Sequence, residues 1–246
     1  MLNIKNLTFS YKQGKNHISQ TILNNFSLKV KRGEFVALLG KSGCGKTTLV
    51  NLIAGYLKPD SGIIKIGRKT KSWPDRDRIV INQENDLFEW MTAFQNIQIV
   101  AINKNPDSIR EYLRLAGLES FSDSYPNELS GGMKKKLSLV RALSAKPKFI
   151  ILDEPFSSID HISAEKLQVE FNLIVKKLST TVILVTHSIS EAVFLSDRIL
   201  VINGSPLEIV SNTIVDLPIP RGRNIIQTDK FKHICTKIKK ALKSIE

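Results

Sequence analysis

Residues 40–47 read Gly40-Lys41-Ser42-Gly43-Cys44-Gly45-Lys46-Thr47 and fit the pattern G-x-x-x-x-G-K-[ST]. The motif follows an apolar run, Phe35 to Leu39, and precedes Thr47 to Leu57, where apolar residues recur at helical spacing. A strand, a glycine-rich loop and a helix in this order point successive backbone N–H groups at a phosphate, and the helix dipole adds to the attraction. We predict a nucleotide-binding loop, with Lys46 on the β- and γ-phosphates and the Thr47 hydroxyl on Mg²⁺. A purely structural glycine turn is the alternative, and both flanking elements weigh against it.

Apolar runs outside this motif predict two kinds of sheet. Leu2 to Tyr11 and Thr21 to Val30 alternate apolar with polar residues, which predicts an antiparallel layer at the N-terminus. Continuous apolar runs predict strands covered on both faces, as in a parallel sheet flanked by helices. These runs are Phe35 to Leu39, Arg78 to Asn82, Phe149 to Leu152, Thr181 to Val185 and Arg198 to Ile202.

Helical patterns occupy much of the remaining chain. The helix after the phosphate loop is expected to stop at the proline-led turn Lys58-Pro59-Asp60-Ser61-Gly62. Between Asn85 and Lys146 strand patterns vanish, and Ser108 to Leu118 and Met133 to Leu143 have helical spacing. We predict one α/β domain over residues 1–246, with a helical subdomain inserted at about residues 86–146.

Composition restricts the class of protein and its compartment. Apolar residues make up 42% of the chain, and the longest apolar runs are far shorter than a membrane span. The first residues resemble a strand and not a signal peptide, and the two cysteines, Cys44 and Cys235, form no disulfide framework or metal-ligand spacing. We expect a protein of the cytoplasm. The net charge of +13 fits nucleic acid, an anionic membrane surface, a polyphosphate ligand or a coding bias spread over solvated faces.

An acidic pair follows one of the predicted buried strands. Asp153 and Glu154 come directly after Phe149 to Leu152. An acidic residue at the end of such a strand can reach the metal of a bound nucleotide. The next residue can face the water beyond the γ-phosphate, so we predict hydrolysis, with Glu154 as the general base. A solvated loop carboxylate is the alternative for Glu154.

A further motif links these parts to a known family. Leu129-Ser130-Gly131-Gly132-Met133 resembles the signature of ABC ATPases, and the resemblance covers essentially the whole chain. The other landmarks stand in the family's order: Gln83 resembles the Q-loop glutamine, Ser157-Ser158-Ile159-Asp160 resembles the D-loop, and His187 resembles the switch histidine. Tyr11 matches the aromatic residue that stacks on adenine. The resemblance implies the ABC ATPase fold: a P-loop NTPase core with a parallel sheet, an N-terminal antiparallel β layer and an inserted helical subdomain.

The resemblance also implies roles for individual residues. Those implied to bind ATP are Tyr11, Gly40, Lys41, Ser42, Gly43, Cys44, Gly45, Lys46, Thr47 and Thr48. Those implied to act in hydrolysis are Glu154, His187 and Gln83, and those implied to hold Mg²⁺ are Thr47, Gln83 and Asp153. Ser130, Gly131 and Gly132 are implied to complete the ATP site of a second copy, with Asp160 in the D-loop. Taken alone, His187 fits a structural role and Tyr11 fits core packing equally well.

The family's assembly supplies the expected partners. ATP would join two copies head to tail, so a homodimer is expected in the ATP-bound state. Transmembrane permease subunits are expected to bind the dimer at the cytoplasmic face of the plasma membrane, with a periplasmic or lipid-anchored solute-binding protein acting through them. Nucleic acid is not expected as a partner.

Within the family the chain looks like the ATPases of nitrate, sulfonate and taurine importers. The residues that carry this are Gly33-Glu34-Phe35-Val36-Ala37-Leu38, Gln83-Glu84-Asn85, Trp90-Met91-Thr92 and the run Val215 to Arg221. One departure follows the signature, where the family often has Arg-Gln-Arg and this chain has Lys134-Lys135-Lys136. An exporter ATPase is the alternative, and a soluble ABC ATPase that acts on nucleic acid is a more distant one.

The end of the chain is predicted to form a basic amphipathic tail over residues 221–246. From Thr228 to Ile245 the apolar residues fall on one helical stripe, with lysines on the other side: Phe231, Ile234, Ile238, Leu242 and Ile245. We expect this helix to pack on the sheet domain with its basic face in solvent. Contact of that face with anionic lipid headgroups is the alternative.

Overall fold

Every strand predicted from the apolar runs is present, and three further strands of the described residues lie outside those runs. The computed structural model describes residues 1–13, 18–67, 69–70, 73–82, 86–157 and 161–244. The strands are β1 (Leu2–Gln13), β2 (Ile18–Val30), β3 (Phe35–Leu39), β4 (Ser61–Ile66), β5 (Lys69–Thr70), β6 (Arg78–Ile81), β7 (Phe149–Asp153), β8 (Thr181–Thr186), β9 (Arg198–Asn203) and β10 (Glu208–Ile214). The helices are α1 (Lys46–Ala54), α2 (Ala93–Gln98), α3 (Pro106–Leu115), α4 (Gly131–Ser144), α5 (His161–Leu178), α6 (Ile189–Leu195) and α7 (Asp229–Lys243).

A six-stranded sheet forms the centre of the domain. Its strand order is β10-β9-β3-β8-β7-β6, and every neighbouring pair is parallel except β10 and β9. All five residues of β3 are fully buried, as expected for a strand that is covered on both faces. The carboxyl ends of β3, β8 and β7 therefore lie side by side at one edge of the sheet.

A second, antiparallel sheet lies at the N-terminal side, with strand order β2-β1-β4-β5. Leu2 pairs with Val30 across β1 and β2 and with Ile66 across β1 and β4. One apolar core joins this sheet to α1 and to one face of the central sheet, and its members include Phe26, Ile53 and Ile151. The predicted α/β architecture with an antiparallel N-terminal layer is confirmed.

The end of α1 differs from the prediction. The helix stops at Ala54 and not at Leu57, because Gly55 adopts a left-handed conformation (φ 85°) and its N–H bonds back to Asn51 O. This is the usual glycine cap of a helix C-terminus. Ser61 and Gly62, predicted to belong to the terminating turn, begin β4. The prediction that the proline-led turn ends this helix is therefore wrong.

Helices are the only regular elements of residues 86–146, all of which the structure describes. Within them lie α2, α3 and α4, and no strand occurs there. The fourth helix begins at Gly131, two residues before the predicted start, because the Ser130 hydroxyl accepts a hydrogen bond from Met133 N–H and caps it. Glycine has a low helix propensity and no apolar side chain, so apolar spacing alone does not indicate this start.

The C-terminal helix α7 presents its apolar stripe to the domain. Phe231, Ile234 and Ile238 are buried in the same core as the helices of residues 86–146. Helix α7 packs against α6, β9 and β10. The Thr228 hydroxyl caps the helix by accepting from Phe231 N–H. Ile245, the last residue predicted for the stripe, lies outside the described residues. Among the described helices, none combines the length and the apolar character needed to cross a bilayer.

Candidate active site

The phosphate loop, residues 40–45, connects β3 to α1 through a backbone that requires glycine at two points. A Cβ at Gly40 would lie 2.4 Å from Ile202 O of β9, so a side chain has no room there. Gly45 has φ 103°, a conformation that other residues rarely adopt, and a Cβ there would lie 2.7 Å from Ile22. Both glycines therefore fix how closely the loop approaches its neighbours.

Lys46 is the first residue of α1 and is buried. Its Nζ donates to Gly40 O at 2.7 Å and to Lys41 O at 2.6 Å. The loop therefore curls around the ammonium group, which holds the positive charge at the centre of the curl. An anion that approached the N-terminus of α1 would meet this charge together with the helix dipole.

A cleft of about 390 Å³ opens at the carboxyl ends of β3, β7 and β8. Its lining joins the phosphate loop to the acidic pair and to the predicted switch histidine. The lining residues are Gly40, Ser42, Gly43, Gly45, Lys46, Thr47, Thr48, Asp153, Glu154 and His187. Residues that are separated by more than 100 positions in sequence thus meet in one place, while Lys41 and Cys44 belong to the same loop but stand outside this lining.

The two carboxylates of the cleft have different backbone settings. Asp153 ends β7, and burial together with the neighbouring Glu154 raises the pKa of its carboxyl, while Lys46 lowers it. Glu154 has φ 45°, in the left-handed region, and its N–H donates to Val185 O of β8 at 2.9 Å. A non-glycine residue in this conformation is strained and is held by its surroundings. His187 Nδ1 lies 3.2 Å from Glu154 Oε1.

Tyr11 stands beside the first turn of α1. Its hydroxyl lies 3.3 Å from Thr48 Oγ1, and its ring packs edge to face against Phe9 with centroids 5.0 Å apart. The side chain remains 39% exposed, so part of it is accessible to a ligand. Thr48 therefore connects the predicted adenine-stacking residue to the helix that begins at the phosphate loop.

The signature residues lie apart from this cleft. Ser130 caps α4, and ideal Cβ atoms at Gly131 and Gly132 would meet nothing within 4 Å. The space next to these two glycines is therefore open, and a helix N-terminus of this kind can accept an anion. None of the described residues that line the phosphate cleft comes from this signature. Gln83 and Asp160, predicted for the Q-loop and the D-loop, lie outside the described residues.

Two of the three lysines after the signature, Lys135 and Lys136, have different environments. Lys135 is fully buried, and its Nζ donates to Asn82 O at 2.8 Å, at the end of β6. Burial lowers the pKa of this ammonium group to about 8. Lys136 forms an ion pair with Glu170 of α5 at 2.7 Å. These two lysines therefore connect α4 to the end of β6 and to α5.

Sequence reasoning missed two polar residues behind His187. Thr186 ends β8 and Glu191 lies in the first turn of α6, and the two side chains are buried and hydrogen-bonded to each other. The signal for them is the pattern Ser188-Ile189-Ser190-Glu191, a serine followed three residues later by glutamate at a helix start. This pattern would have directed attention to the turn that carries His187.

The sequence of the chain is similar to those of known ATP-binding proteins. The sequence profile of the ABC transporter family matches residues 23–157. The chain is 37% identical to the bicarbonate transport ATP-binding protein CmpD of Synechococcus elongatus over 212 residues, which cover 83% of this chain and 76% of that protein. It is 36% identical over 237 residues to an uncharacterised ABC transporter ATP-binding protein of Methanocaldococcus jannaschii, covering 94% of this chain and 88% of that one.

Two further comparisons concern a longer relative and a solved structure. The chain is 38% identical to the nitrate import ATP-binding protein NrtC of Synechococcus elongatus over 210 residues, which cover 82% of this chain and 32% of that protein. A dimeric cassette structure in a post-hydrolysis state with ADP and Pi bound superposes with a TM-score of 0.72 at 29% identity. That match covers 90% of this chain and 100% of the solved chain.

Proposed function

The chain belongs to the ABC transporter family of ATP-binding proteins, and we propose that it hydrolyses ATP to power the import of a small anion. The observation that carries this proposal is the cleft at the ends of three parallel strands, where Lys46, Thr47, Asp153, Glu154 and His187 converge. The names of the bicarbonate and nitrate relatives support an anion of that kind as the solute. The resemblance of the sequence to sulfonate and taurine importers implies these two solutes as well.

Each side chain of the cleft has a place in the proposed reaction. The amides of the phosphate loop and the Lys46 ammonium bind the β- and γ-phosphates, and Tyr11 stacks on adenine. Glu154 accepts a proton from a water molecule that attacks the γ-phosphorus, the bond to the β-γ bridging oxygen breaks, and ADP and phosphate leave. His187 hydrogen-bonds the γ-phosphate from the opposite side of the cleft, with its Nδ1 directed at Glu154.

The oxygen donors of the cleft fit a magnesium ion. The Asp153 carboxylate and the Thr47 hydroxyl both line it, beside the position proposed for the phosphates. Mg²⁺ takes few protein ligands and completes its shell with phosphate oxygens and water, so the carboxylate and the hydroxyl are sufficient, and the family resemblance implies the Gln83 amide as a third ligand. Bound there, the ion would neutralise charge that develops on the phosphates.

We propose that the site is completed by a second copy of the chain. The open cradle at Ser130, Gly131 and Gly132 suits an anion but stands apart from the phosphate cleft of its own chain. A head-to-tail dimer would place this cradle on the γ-phosphate that is bound by the partner copy. The match to a dimeric cassette supports this arrangement.

The proposed membrane partner has a groove to occupy. A cavity of about 300 Å³ lies between β6 and the helices of residues 86–146. Phe88, Val100 and Arg141 are among its lining residues. Trp90 is 72% exposed beside it, and the Arg141 guanidinium sits 5.2 Å from the Phe88 ring centroid. An exposed aromatic patch with a cation suits a protein partner, and we assign it to the cytoplasmic loops of permease subunits.

A reconstitution experiment tests the proposal and its direction. The chain would be purified with the membrane protein that it binds and placed in liposomes with ATP on the side of the cassette. Uptake of labelled bicarbonate or nitrate that requires ATP on that side supports an importer. Extrusion in place of uptake would assign the chain to an exporter, and ATP turnover stimulated only by DNA or RNA would overturn the transport role.

A further inference from the structure

The turn that carries His187 is closed by hydrogen bonds from both of its ends. Thr186 Oγ1 bonds to Glu191 Oε2 and also accepts a hydrogen bond from Ser188 N–H at 3.0 Å. Ser188 Oγ accepts from Glu191 N–H at 3.3 Å. His187 is the one residue between the strand end and the helix cap, so the three contacts fix the backbone on both sides of it.

Burial makes this arrangement hard to displace. Thr186 is 2% exposed and Glu191 is 7% exposed. A glutamate is rarely buried without a partner, because its desolvation is costly. The four residues after Glu191 in α6, Ala192 to Leu195, are all buried in the apolar core. The carboxyl group therefore ties the turn to a helix that cannot easily shift.

The other side of this turn faces the reactive carboxylate. A cavity of about 210 Å³ is lined by Glu154, Thr186, His187 and Glu191, together with Ser157, Gln168 and other residues. Glu154 is linked to the strand of the same turn through its N–H, which donates to Val185 O. The cavity adjoins the contact between His187 and Glu154, and polar groups of β8, α5, α6 and the segment after β7 line it.

We infer that Glu191 is a positioning residue for His187 and acts through the Thr186 hydroxyl. The inference rests on the proposed ATPase function, in which His187 must meet the γ-phosphate. The His187 side chain is 69% exposed and owes little of its position to packing, so its place is set by the backbone of its turn together with the contact to Glu154. Misplacement of a reacting group by about 1 Å can lower a rate by about 100-fold.

The hydrogen bond between Thr186 and Glu191 can form in either charge state of Glu191. Burial raises the pKa of Glu191 to about 7, with a further contribution from Glu154, while Thr186 and His187 oppose the shift. A hydroxyl can donate to a carboxylate and can accept from a carboxylic acid. Thr186 therefore stays connected to Glu191 in either protonation state, as a structural tie requires.

A double-mutant cycle tests the inference. Glu191→Ala, Thr186→Val and the double variant would be compared with the wild type by steady-state ATPase kinetics and by binding of a fluorescent ATP analogue. Each single change should lower kcat by about 10- to 100-fold while KM and the analogue's Kd move less than about threefold. Because both changes break the same connection, the double variant should lose no more than the more damaged single variant.

Conservative variants separate positioning from loss of stability. Glu191→Gln keeps an oxygen that can accept from the threonine, and Thr186→Ser keeps the hydroxyl, so both should retain most of the wild-type kcat. Ser196→Ala is the matched control, since it removes a buried hydrogen bond of α6, from Ser196 Oγ to Ala192 O, outside the turn. If Glu191→Ala fails to fold, the comparison of Thr186→Val with Thr186→Ser decides alone.

Two results would overturn the inference. One is a kcat of Thr186→Val equal to that of Thr186→Ser, and the other is losses that multiply in the double variant. Both differ from a failure of the proposed function, in which the wild type itself would show no ATP turnover that depends on Glu154.

Discussion

His187 Nδ1 lies 3.2 Å from Glu154 Oε1, although the two residues follow different strands and are 33 positions apart in sequence. The contact forms because β7 and β8 are parallel neighbours, with Asp153 opposite Val185. The segments that follow the two strands therefore leave the sheet side by side. A carboxylate facing Nδ1 favours a proton on that nitrogen and leaves Nε2 for another partner. The pair therefore orients the imidazole and the proposed general base together.

Replacing Glu154 with Gln should stop hydrolysis and spare ATP binding. The amide keeps the size of the side chain but cannot accept the proton of the attacking water, and loss of a general base costs about 10²- to 10⁴-fold in rate. Phosphate release would measure turnover. Size-exclusion chromatography with ATP should then show an accumulating dimer.

Glu208→Gln serves as the control for that variant. Glu208 is an exposed carboxylate at the start of β10, outside the residues that line the phosphate cleft. Its change should leave turnover unaltered. Equal turnover of Glu154→Gln and the wild type, with only monomer in the presence of ATP, would exclude Glu154 as the base.

Replacing Lys46 with Ala should weaken both ATP binding and turnover. The ammonium group is held inside the phosphate loop by two carbonyl oxygens, at 2.6 and 2.7 Å, so its charge is aimed at the cleft. A hydrogen bond to a charged group is worth about 1.5–3 kcal/mol, which corresponds to roughly 10- to 100-fold in Kd. Titration with a fluorescent ATP analogue would measure it.

Lys58→Ala removes an exposed lysine just after α1 and should leave Kd unchanged, apart from a small effect on net charge. Both lysines change the overall charge by the same amount. If the two variants bound ATP equally well, Lys46 would have no special contact with the phosphates.

The phosphate loop and the central strands were predictable because local sequence determines them. Gly40 and Gly45 are needed for a close backbone approach and for a left-handed conformation, which few other residues could provide. The strand Phe35 to Leu39 has no exposed side chain, so its pattern does not depend on which neighbours it meets. The joining of this loop to Asp153 and Glu154 then follows from the parallel order of the strands.

The parts that were missed depend on partners distant in sequence. Strand β4 begins with three exposed residues and β10 alternates exposed with less exposed residues, and both acquire their strand form by pairing with β1 and β9. The helix stop at Gly55 was hidden by apolar spacing that continues to Leu57. Burial of Lys135 against Asn82 O joins positions 53 residues apart, and no local pattern of a lysine run indicates it.

Stability should fall as pH rises through the titration of Glu191. Its folded-state pKa of about 7 lies above the ordinary glutamate value of 4.5, so the folded chain binds the proton more tightly than the unfolded chain. The stability from this group is fully present below about pH 4.5 and is lost as pH rises through about 7. The upper limit of the loss is on the order of 3 kcal/mol.

Glu191→Gln isolates this effect. The amide does not titrate, so the variant should gain stability relative to the wild type between pH 5 and pH 8. His187 and Glu154, which also face Glu191, are present in both proteins and largely cancel in the comparison. Urea unfolding at the two pH values would measure the difference, and a difference independent of pH would contradict a raised pKa for Glu191.

Each ATP site should be completed by the signature of the other copy of the chain. In a mixed dimer, one subunit would carry Lys46→Ala and its partner Ser130→Arg, both in a Glu154→Gln background that keeps bound ATP from being hydrolysed. Arginine at position 130 would remove the hydroxyl that caps α4 and fill the open space before Gly131 and Gly132. Each homodimer is damaged at both sites and provides the baseline.

The two arrangements then predict different numbers of trapped ATP molecules. If each phosphate loop is completed by the signature of the other copy, both defects fall in one site and the second site keeps an intact Lys46 and an intact Ser130. One ATP per mixed dimer should be retained. If each chain completes its own site, every site contains one defect and none should be retained. Mixed dimers purified through two different affinity tags and counted with labelled ATP would measure this, and retention no higher than in the homodimers would exclude a shared site.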